Sequence, residues 1–278
     1  MKRIVLGILL VLGLMAASAA PAAAGRWAPA GKADITPGVQ MYTKGAQCTG
    51  NFVFTDAVGR VYVGYAAHCA GTGAATDTDG CQSGSHPLGT AVRFAREGTV
   101  ASGGTTVGHG TLVYSSWITE RKLGTSDADT CAANDLALVR VDAADVSKVN
   151  PSVPTWGGPT GVAAAPKQGD QVYSWGYSSL RPTDAVSPKT GLTTQRTNAG
   201  WGFEVYTVSP GVPGDSGSGF MDASGRAVGV LSTLTLAPTV GSNGVGSLAK
   251  ELAFAQQHSG IGGLRLVKGT QPFSGLAP

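Results

Sequence analysis

Cysteine is missing from the second half of this 278-residue chain, and charge is sparse throughout, with 20 Lys and Arg against 17 Asp and Glu. There is no basic run and no interleaving of aromatic with basic residues, so a nucleic-acid partner is not expected. The leading apolar run, residues 4–15, is well short of the ~20 residues a spanning helix needs, which argues against a membrane anchor. No Cys-x-x-Cys pair occurs, so a zinc site is disfavoured. His86, His109 and His258 fall in no metal-ligand pattern either. No metal and no cofactor is expected. No repeat of fixed period is found, and no low-complexity block beyond the N-terminus.

What the N-terminus does contain is a leader. Lys2 and Arg3 precede the apolar run, and small residues follow it, with Ala22-Ala23-Ala24 as the expected cleavage signal and Ala17-Ser18-Ala19 as a rival. Residues 1–24 are read as a signal peptide, which predicts a secreted protein free of the membrane. Its removal takes two positive charges, so the formal +3 falls to +1. Cys48, Cys69, Cys81 and Cys131 make an even count in an exported chain, which favours two disulfides. Spacing alone leaves all three pairings open.

The 42 glycines, with Thr, Val and Ser recurring between them, describe short strands joined by many turns. Residues 25–46 read as a linker. Strands are expected at 48–54 and 61–65, near 91–94, at 135–141, 171–177 and 202–208. A hairpin is expected from 219–221 and 227–234, turned by Asp222-Ala223-Ser224-Gly225. Residues 71–110 read as largely loop, and 150–166 as a Pro/Gly-rich crossing between two halves. One helix is expected near the end, capped by Ser247, with Leu248, Leu252 and Ala255 on one face and Gly260 as its stop.

Three short stretches can carry chemistry. Ser216 lies in Gly214-Asp215-Ser216-Gly217-Ser218-Gly219, where glycines permit a tight bend. A serine hydroxyl becomes a nucleophile only if a base takes its proton and donors hold the oxyanion it creates. His68 ends an apolar strand, and Asp135 opens another. Taken singly, these are a turn serine, a structural histidine and a strand-edge acid. As an ordered set they supply a nucleophile, a base and an orienting acid.

Ala66-Ala67-His68-Cys69, Asp135-Leu136-Ala137-Leu138 and Gly214-Asp215-Ser216-Gly217 resemble the three catalytic blocks of the chymotrypsin-like (trypsin-type) serine proteases. The match follows that family's His, Asp, Ser order. The likeness spans about residues 33–270 and is similar to secreted actinobacterial members. It implies an all-β fold of two packed antiparallel β-barrels, each of six to seven strands, with a C-terminal helix. The first barrel would take about 47–150, and the second with the helix about 165–262, of a domain at 47–278. It also implies a serine endopeptidase acting on peptide or protein substrates, expected as a monomer. Ser216 would attack, His68 would shuttle the proton, Asp135 would orient the imidazole, and the N–H groups of Gly214 and Ser216 would hold the oxyanion. Cys48 would pair with Cys69, leaving Cys81 with Cys131.

Departures from the family pattern carry information too. Trypsin-like preference uses an Asp six residues before the nucleophile, where this chain has Pro210. The usual disulfide beside the pocket is absent. Ser232, Thr233 and Leu234 match the substrate-pairing strand, and Leu234 is expected to narrow the pocket toward small apolar side chains. Asp215 needs a neutralising cation. A new N-terminus near Ile35-Thr36-Pro37-Gly38 and an internal arginine, Arg196, are the two candidates. Two other classes of protein compete with this reading. One is a protease-fold binding protein without turnover. The other is an α/β-hydrolase esterase, disfavoured because Ser218 breaks Gly-x-Ser-x-Gly and a strand follows.

Overall fold

The computed structural model describes residues 27–74, 77–181, 183–235 and 241–276. The leader lies outside the described residues. In chain order the strands are β1 (Gln40–Thr43), β2 (Ala46–Thr49), β3 (Val53–Thr55), β4 (Val61–Ala66), β5 (Ala91–Arg96), β6 (Thr105–Ser115), β7 (Leu136–Val141), β8 (Gly161–Val162), β9 (Gln171–Trp175), β10 (Pro188–Thr197), β11 (Gly202–Thr207), β12 (Gly219–Asp222), β13 (Arg226–Thr235), β14 (Ser242–Ser247) and β15 (Arg265–Leu266). Three α-helices, α1 (Ser116–Leu123), α2 (Ala128–Ala133) and α3 (Leu248–His258), accompany them. No helix among the described residues is long and apolar enough to cross a membrane.

Except for β15, which returns to the first sheet beside β3, the strands sort by position in the chain. One eight-stranded sheet runs β15-β3-β4-β7-β6-β5-β1-β2, and a seven-stranded sheet runs β12-β9-β10-β11-β14-β13-β8. An added β12–β13 pairing closes six strands of the second sheet into a barrel. All pairings between these strands are antiparallel except β8–β13. This is the chymotrypsin-like architecture, and it rules out the mostly parallel sheet of an α/β-hydrolase.

The two halves share a turn, although the sequence has no repeat of fixed period. Phe54-Thr55-Asp56-Ala57-Val58-Gly59-Arg60 and Phe220-Met221-Asp222-Ala223-Ser224-Gly225-Arg226 join β3 to β4 and β12 to β13. In both, one Asp oxygen accepts two backbone N–H groups, from Val58 and Arg60 or from Ser224 and Arg226. The other oxygen pairs with the Arg Nε. A side-chain carboxylate here satisfies the donors of a tight turn, as Asp does in Asx-turns. In the first copy burial opposes ionisation, but hydrogen bonds from Tyr62 and Arg60 outweigh it and hold Asp56 down to about 2.

Several sequence expectations change. Residues 25–46 are not a linker throughout: β1 lies inside the first sheet, and Ile35 is wholly buried and bridged to Val149. The strand expected at 48–54 is two strands, because the chain turns at Gly50 and Asn51 between sheet partners. Helices α1 and α2 and strands β10 and β14 had no sequence signal. Ser247 sits at the N-cap of α3, but its side chain makes no capping hydrogen bond. The face named in advance does pack inward: Leu248, Leu252 and Ala255 are buried, and α3 rests against β7, β13, β14 and α1.

Candidate active site

The β4–β7 pairing sets Ala66 opposite Leu136, and the Ala67 N–H donates to the Asp135 carbonyl at 2.9 Å. The chain then enters a single 3₁₀ turn, Ala67–Ala70, that presents His68. A disulfide from Cys69 to Cys48 ties this turn to β2. Cys81 and Cys131 form the second bridge, so both pairings agree with those the resemblance implied. His68 Nδ1 lies 2.7 Å from Asp135 Oδ2, and the His68 N–H donates to Oδ1 at 2.8 Å. Since a carboxylate only accepts, Nδ1 carries the proton and Nε2 is left as the base. Ser232 Oγ, from β13, donates to the same Oδ2 at 2.5 Å. Burial lowers the His68 pKa, but the charge and hydrogen bond of Asp135 together outweigh it and raise the imidazole above 6.5.

Ser216 is presented by a turn tied to both sheets. The Gly217 N–H donates to Leu231 of β13 at 2.7 Å, and the Ser216 carbonyl accepts from Thr49 of β2 at 2.8 Å. Gly214 and Gly217 have φ of +95° and +90°, conformations that L side chains rarely adopt. A Cβ on Gly217 would also press on the Ala66 nitrogen at 2.8 Å. Gln47 Nε2 and Thr49 Oγ1 donate to the Gly214 carbonyl at 3.0 and 2.7 Å. That peptide oxygen therefore faces the first sheet. Among the described residues the N–H groups of Gly214 and Ser216 have no protein acceptor.

Asp215, fully buried, stays inside the turn. Its Oδ2 pairs with Arg181 Nη2 at 2.6 Å and lies 3.2 Å from Lys189 Nζ, while Ser178 donates its N–H to Oδ1 at 3.0 Å. Neither candidate from the sequence supplies this cation. Arg196 donates to the carbonyls of Ala165 and Pro166, and the Ile35 N–H donates to the Lys148 carbonyl. Lys189 has no exposure; burial and, after the Asp215 charge that opposes it, the Arg181 charge hold its pKa below 10.5.

His68 and Ser216 line one cleft of about 630 Å³ together with Gly214, Ser232, Thr233 and Leu234, a size usual for binding sites. Gly211, Val212, Leu231, Asn243, Asp77, Thr78 and Trp117 also line it. Pro210 is not part of the lining; its carbonyl is turned to Arg181 instead. Asn243 was not foreseen. Its side chain pairs with both the N–H and the C=O of Gly211, at 2.7 and 3.1 Å, and also donates to the Thr233 carbonyl at 3.2 Å. Two groups of close donor atoms, Cys48 with His68 and Cys69, and Asp79 with Cys81 and Cys131, resemble metal clusters. Their cysteines are spent in disulfides and offer no thiolate.

A family model described as the trypsin-like peptidase domain matches residues 48–230. The chain belongs to that family. Its members are serine peptidases, a class of hydrolase. Among solved structures, Thermobifida fusca Protease A is similar at 18% identity with a TM-score of 0.50, covering 84% of this chain and 99% of that one. Cellulomonas bogoriensis chymotrypsin matches at 19% identity and a TM-score of 0.49, covering 84% and 98%. Nocardiopsis protease matches at 19% and 0.46, covering 84% and 99%. No curated protein matches the chain.

The Asp215 cluster yields a stability prediction. Removing one partner of a buried ion pair typically costs 3–5 kcal/mol because the other charge is stranded. Arg181→Leu is expected to cost about 3 kcal/mol, read from the denaturant midpoint. Lys189→Met, which removes a buried cation and leaves Arg181 in place, is expected to cost less. Equal losses would show that Lys189 shares the neutralisation equally.

Proposed function

We propose that the protein is a secreted serine endopeptidase in which Ser216 is the nucleophile, His68 the general base and then acid, and Asp135 the orienting carboxylate. The observation that carries this reading is the Asp135–His68 pair, with Nδ1 2.7 Å from Oδ2, in the cleft that Ser216 also lines. Ser216 Oγ attacks the substrate carbonyl as its proton passes to His68 Nε2, giving a tetrahedral oxyanion. The N–H groups of Gly214 and Ser216 hold that charge. Collapse expels the amine, which takes the proton back from His68, and leaves an acyl-enzyme. A water activated by the same imidazole then releases the acid and restores Ser216.

Because Arg181 and Lys189 already neutralise Asp215 from within the chain, shaping of the oxyanion turn needs no newly cut N-terminus. Residues 1–24 are removed as a signal peptide on export, a reading consistent with two disulfides. The catalytic unit follows that leader as one domain of two sheets acting as a monomer.

Specificity follows from the wall formed by Gly211, Val212, Leu231, Thr233 and Leu234. It offers no carboxylate to a basic side chain, and the Asn243 amide is already spent on backbone groups. Small or medium apolar side chains at the residue before the scissile bond are therefore preferred.

A fluorophosphonate probe should label the mature protein at Ser216, and Ser216→Ala should abolish labelling. Folded wild-type protein that fails to label would leave a binding protein on a protease fold. In kcat/KM against pH, the acid limb should titrate above 6.5, since His68 must be neutral to act and its pKa is raised. Asp135→Asn removes both raising influences, so the limb should move to lower pH while kcat falls by about 10⁴, the loss that follows when the orienting acid of such a triad becomes an amide. An unmoved limb would remove His68–Asp135 from the mechanism. With peptides differing only at that specificity position, cleavage should favour Ala, Val or Leu; a strong preference for Lys, Arg or Glu overturns the pocket assignment.

A further inference from the structure

Away from the cleft, α3 brings a second acid against the candidate triad. Glu251, in the first turn of α3, is fully buried, and its Oε1 accepts the backbone N–H of Asp135 at 3.0 Å. The contact joins residues 116 positions apart, so it is a product of the fold and not of local sequence. Gly246 in β14 makes room for it, because a side chain there would run into Glu251 Oε1. With this bond, Asp135 is held at four points. Its carbonyl accepts from Ala67, its N–H donates to Glu251, and its two carboxylate oxygens accept from His68 and Ser232.

We infer that Glu251 is a positioning residue for the triad acid, accepting the Asp135 N–H and so fixing the direction in which the carboxylate meets His68. This rests on the endopeptidase reading above. A charged Glu251 would be a poor choice for the task, and its surroundings keep it neutral. The groups facing it are Glu120 from α1, Tyr114 from β6 and Asp135 itself; no Lys or Arg is among them. Neither Glu251 nor Glu120 takes part in an ion pair among the described residues. Glu251 Oε2 and Glu120 Oε1 accept from no protein donor. An unpaired buried carboxylate is costly enough that the group keeps its proton instead. Burial pushes Glu120 up to about 8 and Glu251 well above the ordinary range. A neutral Glu251 adds no second negative charge beside the carboxylate that meets His68.

The test compares Glu251→Gln with Glu251→Leu in the mature protein. Gln keeps an acceptor for the Asp135 N–H and carries no charge, so its kcat should stay within about twofold of wild type. Leu has similar bulk and no acceptor. Losing a hydrogen bond worth about 1.4 kcal/mol is tenfold in rate, so its kcat should fall about tenfold or more with KM little changed. The downfield proton resonance of the His68 Nδ1–H should persist in Gln and shift or broaden in Leu. A folded Leu variant with wild-type kcat overturns the proposal, as does one that loses kcat and KM affinity together with the resonance unmoved. If the Leu variant fails to fold, the Gln variant decides alone: wild-type kcat supports positioning, and a folded Gln variant at a tenth or less overturns it. A wild-type protein that never labels with fluorophosphonate sinks the endopeptidase reading and this one with it. An active wild type with indifferent Glu251 variants sinks this one only.

Discussion

The buried carboxylate of Asp135 is the constraint around which both sheets are arranged. An anion taken out of water must be met by donors, or folding would protonate it. Those donors come from different parts of the chain: His68 follows β4 of the first sheet and Ser232 lies on β13 of the second. Satisfying the charge therefore fixes the two sheets relative to each other. The hydroxyl of Ser232 is a structural member of the site as much as the imidazole is. The same β13 segment also accepts the Gly217 N–H through Leu231, so one strand sets both the acid and the turn that carries Ser216.

A second buried carboxylate, Asp215, solves the same problem by a different route. Asp135 is met by neutral donors and one imidazole, which leaves its charge available to an imidazolium. Asp215 is met by a guanidinium and an ammonium, two cations that more than cancel its charge. That difference suits the two places. A charge meant to be felt by a neighbour should not be neutralised, whereas one that only shapes a turn should be. Asp56 and Asp222, at the repeated hairpins, follow the second pattern in part, each with an arginine across the turn.

Much of this was legible in the residues, and the parts that were not share a cause. The three blocks around His68, Asp135 and Ser216 and the inward face of α3 stood out because they rest on short local patterns, whereas the disulfide pairings, between residues 21 and 50 positions apart, came only from the family resemblance. Strand β10 was not readable. Its Pro-Lys-Thr-Gly-Leu-Thr-Thr-Gln-Arg-Thr run buries Lys189 and Thr193 and exposes Leu192, which inverts the alternation that marks a strand. Strand β14, Ser-Asn-Gly-Val-Gly-Ser, is almost wholly buried yet offers a single branched apolar residue. Arg196 is the internal arginine the sequence offered as a partner for Asp215, but Arg181 is the one that pairs with it. Arg181 reaches the acid from the connection between β9 and β10, whereas Arg196 sits on β10 and donates to the Ala165 and Pro166 carbonyls.

Asn243 carries the same lesson into the cleft. The resemblance drew attention to Pro210 and to a missing disulfide beside the pocket, and both were readings of what that place lacks. What stands there is an amide that pairs with Gly211 through donor and acceptor alike, in the manner of one more strand residue, and then reaches the Thr233 carbonyl. It thereby links the 211–214 loop to β13. Three hydrogen bonds of about 1 kcal/mol each are comparable with the 2–4 kcal/mol of a typical disulfide. They act on the folded geometry directly, whereas a disulfide acts mainly on the unfolded chain. Because all three go to backbone groups, they hold that loop to β13 without presenting a charge to the substrate. Bracing of this part of the cleft therefore comes from hydrogen bonds to backbone groups and not from a covalent tie.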